Sequence, residues 1–276
     1  RTVVLAPHPD DETLGCGGTI RLLLKSKRAV KVIFLTSGDK ADPSNKLSQI
    51  VHDEAYMSQR NTKFNENNLP EFSFSNPPSP PFSKGGKGRF SSDSHITEYA
   101  LLREKEAVRA LKVLGVSDYE FLRFPDRELN LYYKSALDRL LEIIGTYMPD
   151  TIYSPSMIEL NPDHRTTAAL SLEIQRKMMK PDIDTKDCIP MKLVFYEVTT
   201  PLRPNMLIDI TSAYTRKKRA IKKYKSQLKI RDYLKHITAL NTFRSLTVDG
   251  LRHIEAFWCV DKPLSGEDIA RWLSYF

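Results

Sequence analysis

The order of apolar and amphipathic segments is the feature of this sequence that most constrains its fold. Short runs of β-branched and aromatic residues, typical of buried strands, alternate with longer stretches whose apolar residues recur at helical spacing. This alternation predicts an α/β fold, a Rossmann-like three-layer sandwich with a mostly parallel sheet, built as a single domain. The predicted strands cover residues 3–6, 30–36, 120–124, 151–154, 192–197, 206–210 and 254–260. The predicted helices cover residues 19–24, about 97–114, about 131–147, a segment from about 166, 216–235 and a segment after 265. The glycine-containing stretch Gly15-Cys16-Gly17-Gly18 is predicted as the turn before the first of these helices.

One stretch, at about residues 61–96, lacks both periodicities. It concentrates Asn, Pro, Ser and Gly, a composition that does not form a packed core. We therefore expect one domain over residues 1–276 with an inserted low-complexity loop at about 61–96. A lid over an active site is the alternative interpretation of this loop.

The positive charge of the chain is concentrated in one segment. The 276 residues carry 42 basic and 34 acidic side chains, a net charge of +8. Residues 216–235 hold ten Lys or Arg and one Asp, a local charge of +9, so the rest of the chain is nearly neutral at −1. This pattern predicts one basic amphipathic surface helix and no nucleic-acid partner, although a local contact with an anionic group stays open.

The cysteines and the hydropathy of the chain indicate the cellular compartment in which we expect the protein. Cys16, Cys188 and Cys259 cannot all pair with one another and show no metal-type spacing, which favours a reducing compartment. No apolar run approaches the length of a membrane span, and the first residues show no signal-peptide pattern. We therefore expect a cytoplasmic protein without a membrane span. A homo-oligomer stays open.

A cluster of ionisable residues follows the first predicted strand. The sequence there is Pro7-His8-Pro9-Asp10-Asp11-Glu12. Ligands bind at the carboxyl ends of the strands in open α/β sheets, so these side chains lie where chemistry usually takes place. Three successive acids repel one another unless a cation neutralises them. The motif therefore favours a divalent metal site, whereas the alternative is simple capping of the following helix by its acids.

A second cluster, Asn161-Pro162-Asp163-His164-Arg165, follows the strand predicted at 151–154. One His and one Asp from the first loop together with His164 make three nitrogen and oxygen ligands. Three such ligands with an open position are typical of catalytic zinc, whereas structural sites use four ligands. One acid of the first loop then remains as a general base for a water molecule.

The sequences of both clusters resemble motifs of the LmbE/PIG-L family of zinc-dependent N-acetylglucosaminyl de-N-acetylases. The first loop, continued by Thr13-Leu14-Gly15-Cys16-Gly17-Gly18, is similar to the family signature almost residue for residue, and Pro162-Asp163-His164 lies at the expected distance downstream. Further similarity covers nearly the whole chain outside 61–96. It includes Arg103-x-x-Glu106-Ala107, Leu114-Gly115, Phe124-Pro125-Asp126, Tyr196-Glu197, Ile208-Asp209-Ile210-Thr211 and Glu255-Ala256-Phe257.

The resemblance implies a role for each matching position. One zinc ion per chain is held by His8, Asp11 and His164, and Asp10 is the general base that activates a water on the metal. The implied reaction is hydrolysis of an N-acetyl group on a small amino sugar or glycoconjugate, with release of acetate and a free amine.

The same resemblance assigns sugar binding to Arg103 and Asp126, although Arg103 also fits an exposed helix charge. Several family members carry His at the position of Asn161. An Asn can donate a hydrogen bond to an oxyanion but cannot deliver a proton. The identity of the general acid that protonates the leaving amine is therefore left open.

Two other functions are compatible with these residues. A metal-dependent phosphoesterase also uses acidic loops at strand ends, but the two histidines favour zinc over an all-oxygen magnesium site. A sugar-binding protein without turnover is the alternative outside enzymes, and the intact Asp10 argues against it.

Overall fold

The computed structural model describes residues 1–41, 96–179 and 190–274. Cys188 and all but the last residue of the predicted insert at 61–96 lie outside these ranges. Within them, no helix is both long and apolar enough to cross a bilayer.

A seven-stranded sheet in the order β3-β2-β1-β4-β5-β7-β6 forms the centre of the fold. Every pairing from β3 to β5 is parallel, and β7 runs antiparallel to both β5 and β6. The prediction of a mostly parallel sheet is therefore confirmed. The strands are β1 (Thr2–Ala6), β2 (Val30–Thr36), β3 (Asp118–Phe124), β4 (Thr151–Pro155), β5 (Lys192–Tyr196), β6 (Met206–Asp209) and β7 (Ile254–Val260).

Helices cover both faces of the sheet, which confirms the α/β sandwich. The α-helices are α1 (Asp11–Lys25), α2 (Glu98–Leu114), α3 (Tyr133–Tyr147), α4 (Pro162–Met178), α5 (Tyr214–Ile221), α6 (Lys225–Ile230), α7 (Tyr233–Phe243) and α8 (Gly266–Leu273). Alternate residues of β1 point to opposite layers: Val4 and Ala6 join a core with α1, α2 and α5 to α7, whereas Val3 and Leu5 join a core with α3 and α4.

The connections out of β1 and β4 create a crevice at the carboxyl edge of the sheet. The chain passes from β1 to β2 and β3 on one side, and then crosses back to place β4 and β5 on the other side. Adjacent parallel strands whose connections diverge in this way leave a ligand-binding crevice between them. The loops after Ala6 and Pro155 therefore open into the same crevice.

The first helix differs from the expectation. The glycine-containing stretch from Gly15 to Gly18 was predicted as a turn before a helix over 19–24, but α1 begins at Asp11 and continues through it with one break at Cys16. The glycines serve close packing instead. A Cβ atom on Gly15 would lie 2.2 Å from Cδ2 of the Tyr196 ring, and one on Gly18 would lie 2.6 Å from Cβ of Ile210.

Replacing Gly15 with Ala is expected to lower the free energy of unfolding by about 1–3 kcal/mol, because overpacking forces a buried neighbour to move. Tyr196 is fully buried, and its hydroxyl donates to the carbonyl of Leu5, so the ring has little freedom to yield. The matched control is Gly145→Ala on α3, where a Cβ meets nothing within 4 Å. That substitution is expected to stabilise by roughly 0.5–1 kcal/mol. Urea unfolding of both variants checks this, and equal stabilities would contradict the packing argument.

The basic segment also differs from its prediction. Instead of one helix over 216–235, the chain forms the end of α5, then α6, then the start of α7. Helix geometry is lost at Tyr224, whose backbone has φ −81° and ψ 61°, and Asp232 caps a new helix by accepting from the Lys235 amide. Lys217, the second residue of the basic segment, is fully buried.

Candidate metal and catalytic site

Asp11, at the start of α1, lies between two imidazole rings. Its Oδ2 is 3.1 Å from Nδ1 of His8 and 3.1 Å from Nε2 of His164. The backbone N–H of His8 also donates to this oxygen at 2.9 Å, which holds the carboxylate against the loop after β1. All three side chains are buried, with exposed fractions of 7% for His8 and 3% for the other two. The crevice therefore brings together the three residues predicted as metal ligands.

The donor set suits a small cation. One atom from each of His8, Asp11 and His164 lies within 4.8 Å of the other two. Ligands of one tetrahedral zinc ion, each bound at about 2.0–2.1 Å, lie roughly 3.3 Å from one another. The observed separations of 3.1 Å from Asp11 to each imidazole are close to that value. Two nitrogens and one oxygen leave a fourth position for water or substrate, as in catalytic sites.

The outer nitrogen of His8 is held by two carboxylates. Nε2 lies 3.1 Å from Oδ1 of Asp126 and 3.3 Å from Oδ2 of Asp163. One ligand atom from each of His8, Asp126 and Asp163 lies within 4.8 Å of the other two, so these residues are a second set that could hold a metal ion. However, their oxygens also accept backbone N–H groups, including that of Lys40 for Asp126 and those of Arg127 and Leu129 for Asp163. Carboxylates placed in this way fix the orientation of the His8 ring, and histidines that bind metals in known proteins have such partners.

Asp10 lies beside the three predicted ligands on a strained backbone. Its φ of 138° lies in the region that favours glycine. Arg103 holds Asp10 in this conformation. One guanidinium nitrogen donates to the Pro9 carbonyl at 2.6 Å and lies 3.2 Å from Oδ1 of Asp10. The other terminal nitrogen donates to the Gly38 carbonyl at 2.7 Å. Arg103 is only 3% exposed, so the alternative of an exposed helix charge was wrong.

Glu12 supports the backbone of Asp10 through a hydrogen bond. Its Oε2 accepts the backbone N–H of Asp10 at 3.2 Å, and its Oε1 accepts the Tyr224 hydroxyl at 2.5 Å. Both side chains are buried. The sequence placed Glu12 among three acids near a cation, but the structure uses it as a backbone acceptor. Nothing in the local sequence identified Tyr224 as its partner, because 212 positions separate the two residues.

The electrostatics of the cluster follow from burial and close charges. Burial raises the pKa of Asp10 to about 7, although the charge of Arg103 opposes this. Burial alone would lower the pKa of His164, but the charges and hydrogen-bonding oxygens of Asp11 and Glu159 together outweigh it and raise that pKa to about 9. Burial alone would raise the pKa of Asp11, but the charges and hydrogen bonds of His164 and His8 together hold it well below its ordinary value. Asp11 therefore stays an anion between the two rings.

Asn161 starts the helix that carries His164. The helix was predicted from about residue 166, but α4 begins at Pro162, with Asn161 as its N-cap. The side-chain oxygen of Asn161 accepts the N–H of Asp163 at 2.8 Å. Proline in the first turn and an Asn cap are ordinary start signals. Because the oxygen is used in the cap, the amide NH₂ is the group that Asn161 can offer as a donor.

Glu159 is a site residue that the sequence analysis missed. It lies just before the second motif, is 1% exposed, and its Oε2 lies 3.7 Å from Nδ1 of His164. Burial alone would raise the pKa of Glu159, but the nearby His164 and the hydrogen-bond donors around the carboxylate hold it below its ordinary value. The motif spacing did not include this residue, and only the loop packing shows that its carboxylate points inward.

The chain resembles known proteins in sequence and in fold. Residues 3–74 and 81–175 match the family model described as GlcNAc-PI de-N-acetylase. A diacetylchitobiose deacetylase of Thermococcus kodakarensis is 24% identical over 234 residues, which cover 82% of this chain and 70% of that protein.

Solved structures extend the comparison of the fold. The N,N'-diacetylchitobiose deacetylase of Pyrococcus horikoshii matches with a TM-score of 0.65 at 22% identity, over 94% of this chain and 83% of that one. A 4-carboxy-2-hydroxymuconate hydratase of Pseudomonas putida matches with a TM-score of 0.63 at 17% identity, over 96% and 98% of the two chains. Since one fold serves different reactions, the activity has to be argued from the site.

Proposed function

Because this chain belongs to the GlcNAc-PI de-N-acetylase (PIG-L) family, we propose that it is a zinc-dependent amidohydrolase. It removes an N-acetyl group from a small amino sugar or glycoconjugate of the N-acetylglucosamine type and releases acetate and a free amine. The observation that carries this proposal is the buried group of His8, Asp11 and His164 with Asp10 beside it. The diacetylchitobiose deacetylases among the similar proteins support the substrate class.

One zinc ion per chain, held by His8, Asp11 and His164, would polarise the acetamide carbonyl and acidify a water molecule. Asp10 accepts a proton from that water while the water oxygen bonds to the carbonyl carbon. The C–N bond then breaks, and the proton passes from Asp10 to the leaving nitrogen. One carboxylate can serve both steps in this scheme, which is compatible with Asn161 in place of a histidine.

Asn161, Arg103 and Asp126 have further roles in this scheme. The amide of Asn161 donates a hydrogen bond to the oxygen that gains charge. Arg103 and Asp126 contact Asp10 and His8, respectively. They therefore position the base and one ligand, and their contact with the sugar stays a prediction. A cytoplasmic location and a homo-oligomer also stay predictions.

Release of acetate tests the proposal directly. The purified chain is expected to contain close to one zinc per molecule, and to release acetate from N-acetylglucosamine, N,N'-diacetylchitobiose or N-acetylglucosaminyl phosphatidylinositol. Chelation should abolish this activity, and added zinc should restore it, because the three side chains alone supply no Lewis acid.

The alternatives give different results in the same assay. A phosphoesterase would release phosphate from aryl phosphates and no acetate. A sugar-binding protein would retain the sugars unchanged. The absence of both zinc and acetate release would refute the proposal.

A further inference from the structure

The two predicted histidine ligands differ in how their outer ring nitrogens are satisfied. Nε2 of His8 has the carboxylates of Asp126 and Asp163 within 3.3 Å. Nδ1 of His164 is buried and has no hydrogen-bond partner within the described parts of the chain. A buried polar nitrogen without a partner is rare in native structures and calls for an explanation.

The chemistry of a ligating imidazole determines what this nitrogen needs. Nε2 of His164 is the atom that faces Asp11, at 3.1 Å. If Nε2 binds a metal through its lone pair, the ring proton must be on Nδ1. That proton then needs an acceptor, and metal-ligating histidines almost always donate it to a carboxylate, a carbonyl or water. Oε2 of Glu159, 3.7 Å away, is within ion-pair range but beyond an ordinary hydrogen bond.

The carboxylate of Glu159 is held in place by the loop between β5 and β6. It accepts the backbone N–H groups of Val198 at 2.7 Å, Thr199 at 3.1 Å and Thr200 at 3.3 Å. The Thr199 hydroxyl donates to Oε2 at 2.5 Å. The three backbone donors to Oε1 hold the carboxylate in the loop, so Oε2 stays on the side of His164.

We propose that Glu159 is a positioning residue that accepts the Nδ1 proton of His164, fixes Nε2 toward the metal and joins this ligand to the loop at residues 197–205. This inference rests on the proposed metal site. It gives His164 the same kind of support that Asp126 and Asp163 give to His8. Glu159 itself contacts neither metal nor substrate.

Glu159→Gln tests the role at nearly constant size. An amide has one accepting oxygen instead of two, so it cannot satisfy both the loop N–H groups and His164. Zinc affinity, measured by competition with a chromophoric chelator, is expected to fall about 10–100-fold. The matched control is Thr199→Val, which removes the hydroxyl donor and leaves the carboxylate and His164 in place. Because the acceptor for the His164 proton is still present, the zinc affinity of this variant is expected to stay within about twofold of wild type.

A spectroscopic measurement separates positioning from general loss of structure. In ¹⁵N-edited NMR of the zinc-loaded wild type, His164 is expected to carry its proton on Nδ1, shifted downfield by a strong hydrogen bond. The signal is assigned by its loss in His164→Gln, and it should move upfield in Glu159→Gln. Where Glu159→Gln does not fold, the wild-type spectrum decides, because a proton absent from Nδ1 or an ordinary, unshifted signal refutes the inference.

The remaining outcomes distinguish this inference from the proposed function. Equal zinc affinities for wild type and Glu159→Gln overturn the inference alone. Equal losses in Thr199→Val and Glu159→Gln also overturn it, because they assign the effect to the order of the loop. A wild-type chain that binds no zinc overturns the inference and the proposed function together.

Discussion

Replacing Asp10 with Asn is expected to lower kcat by about 10²–10⁴-fold, the usual contribution of a general base. Asn has nearly the same size and keeps an oxygen for the contact with Arg103, but it cannot take a proton from water. Arg103 keeps its two backbone carbonyl acceptors in the variant, so its buried charge stays hydrogen-bonded. Zinc content and KM are therefore expected to change little, and the loss should appear in kcat.

Acetate release with metal analysis of the same sample checks this prediction. The control is Asp138→Asn, which changes an exposed carboxylate paired with Lys134 on α3. It is expected to keep wild-type kcat. If Asp10→Asn retained near-wild-type turnover, the scheme with a single base would be wrong. If it lost zinc as well, Asp10 would have to be counted among the ligands.

Replacing Lys217 with Met is expected to lower the free energy of unfolding by about 3–5 kcal/mol, the usual cost of leaving a buried charge without its partner. Lys217 and Glu255 are both fully buried at the side chain, and Nζ donates to Oε1 at 2.6 Å. Glu255 also accepts the N–H groups of Gly18 and Thr19, just after the break in α1. The variant therefore weakens the contact between Glu255 and α1, the helix whose first turn carries Asp11.

Urea unfolding of three variants checks this second prediction. Lys222→Met removes an exposed charge from the same segment and is expected to change stability by no more than roughly 0.5 kcal/mol. The double variant Lys217→Met with Glu255→Gln removes both charges and should recover part of the loss. A change under about 1 kcal/mol for Lys217→Met would show that the pair contributes little net stability.

The fold class followed from the sequence because burial on both faces of parallel strands leaves a local signal. Predicted strand positions agree with the structure to within about two residues, as for β2 and β7. Helix starts were less accurate. The prediction for α4 missed Asn161 as the cap and Pro162 as the first residue. The glycines of α1 were interpreted as a turn because local propensity does not contain the Tyr196 ring that they accommodate.

The basic segment shows a different limit of sequence interpretation. Its charge predicted a solvent-exposed face, and most of its Lys and Arg residues are exposed. Lys217 is buried because Glu255, on a strand 38 positions away, provides a counter-charge in the core. Charge pattern along a helix carries no information about such a partner.

The sequence by itself determined the α/β class, the family, and the residue types that gather after β1 and β4. These properties depend on local periodicity and on short motifs. Only the tertiary structure decided that Arg103 and Glu12 hold Asp10, that Asp126 and Asp163 hold His8, and that Glu159 faces His164. The physical reason is that a buried polar group is satisfied by whatever donor or acceptor the fold brings within about 3 Å. Arg103, Asp126 and Asp163 are far in the chain from the residues that they hold. Glu12 and Glu159 are close in the chain to Asp10 and His164, but the direction of their carboxylates is set by packing.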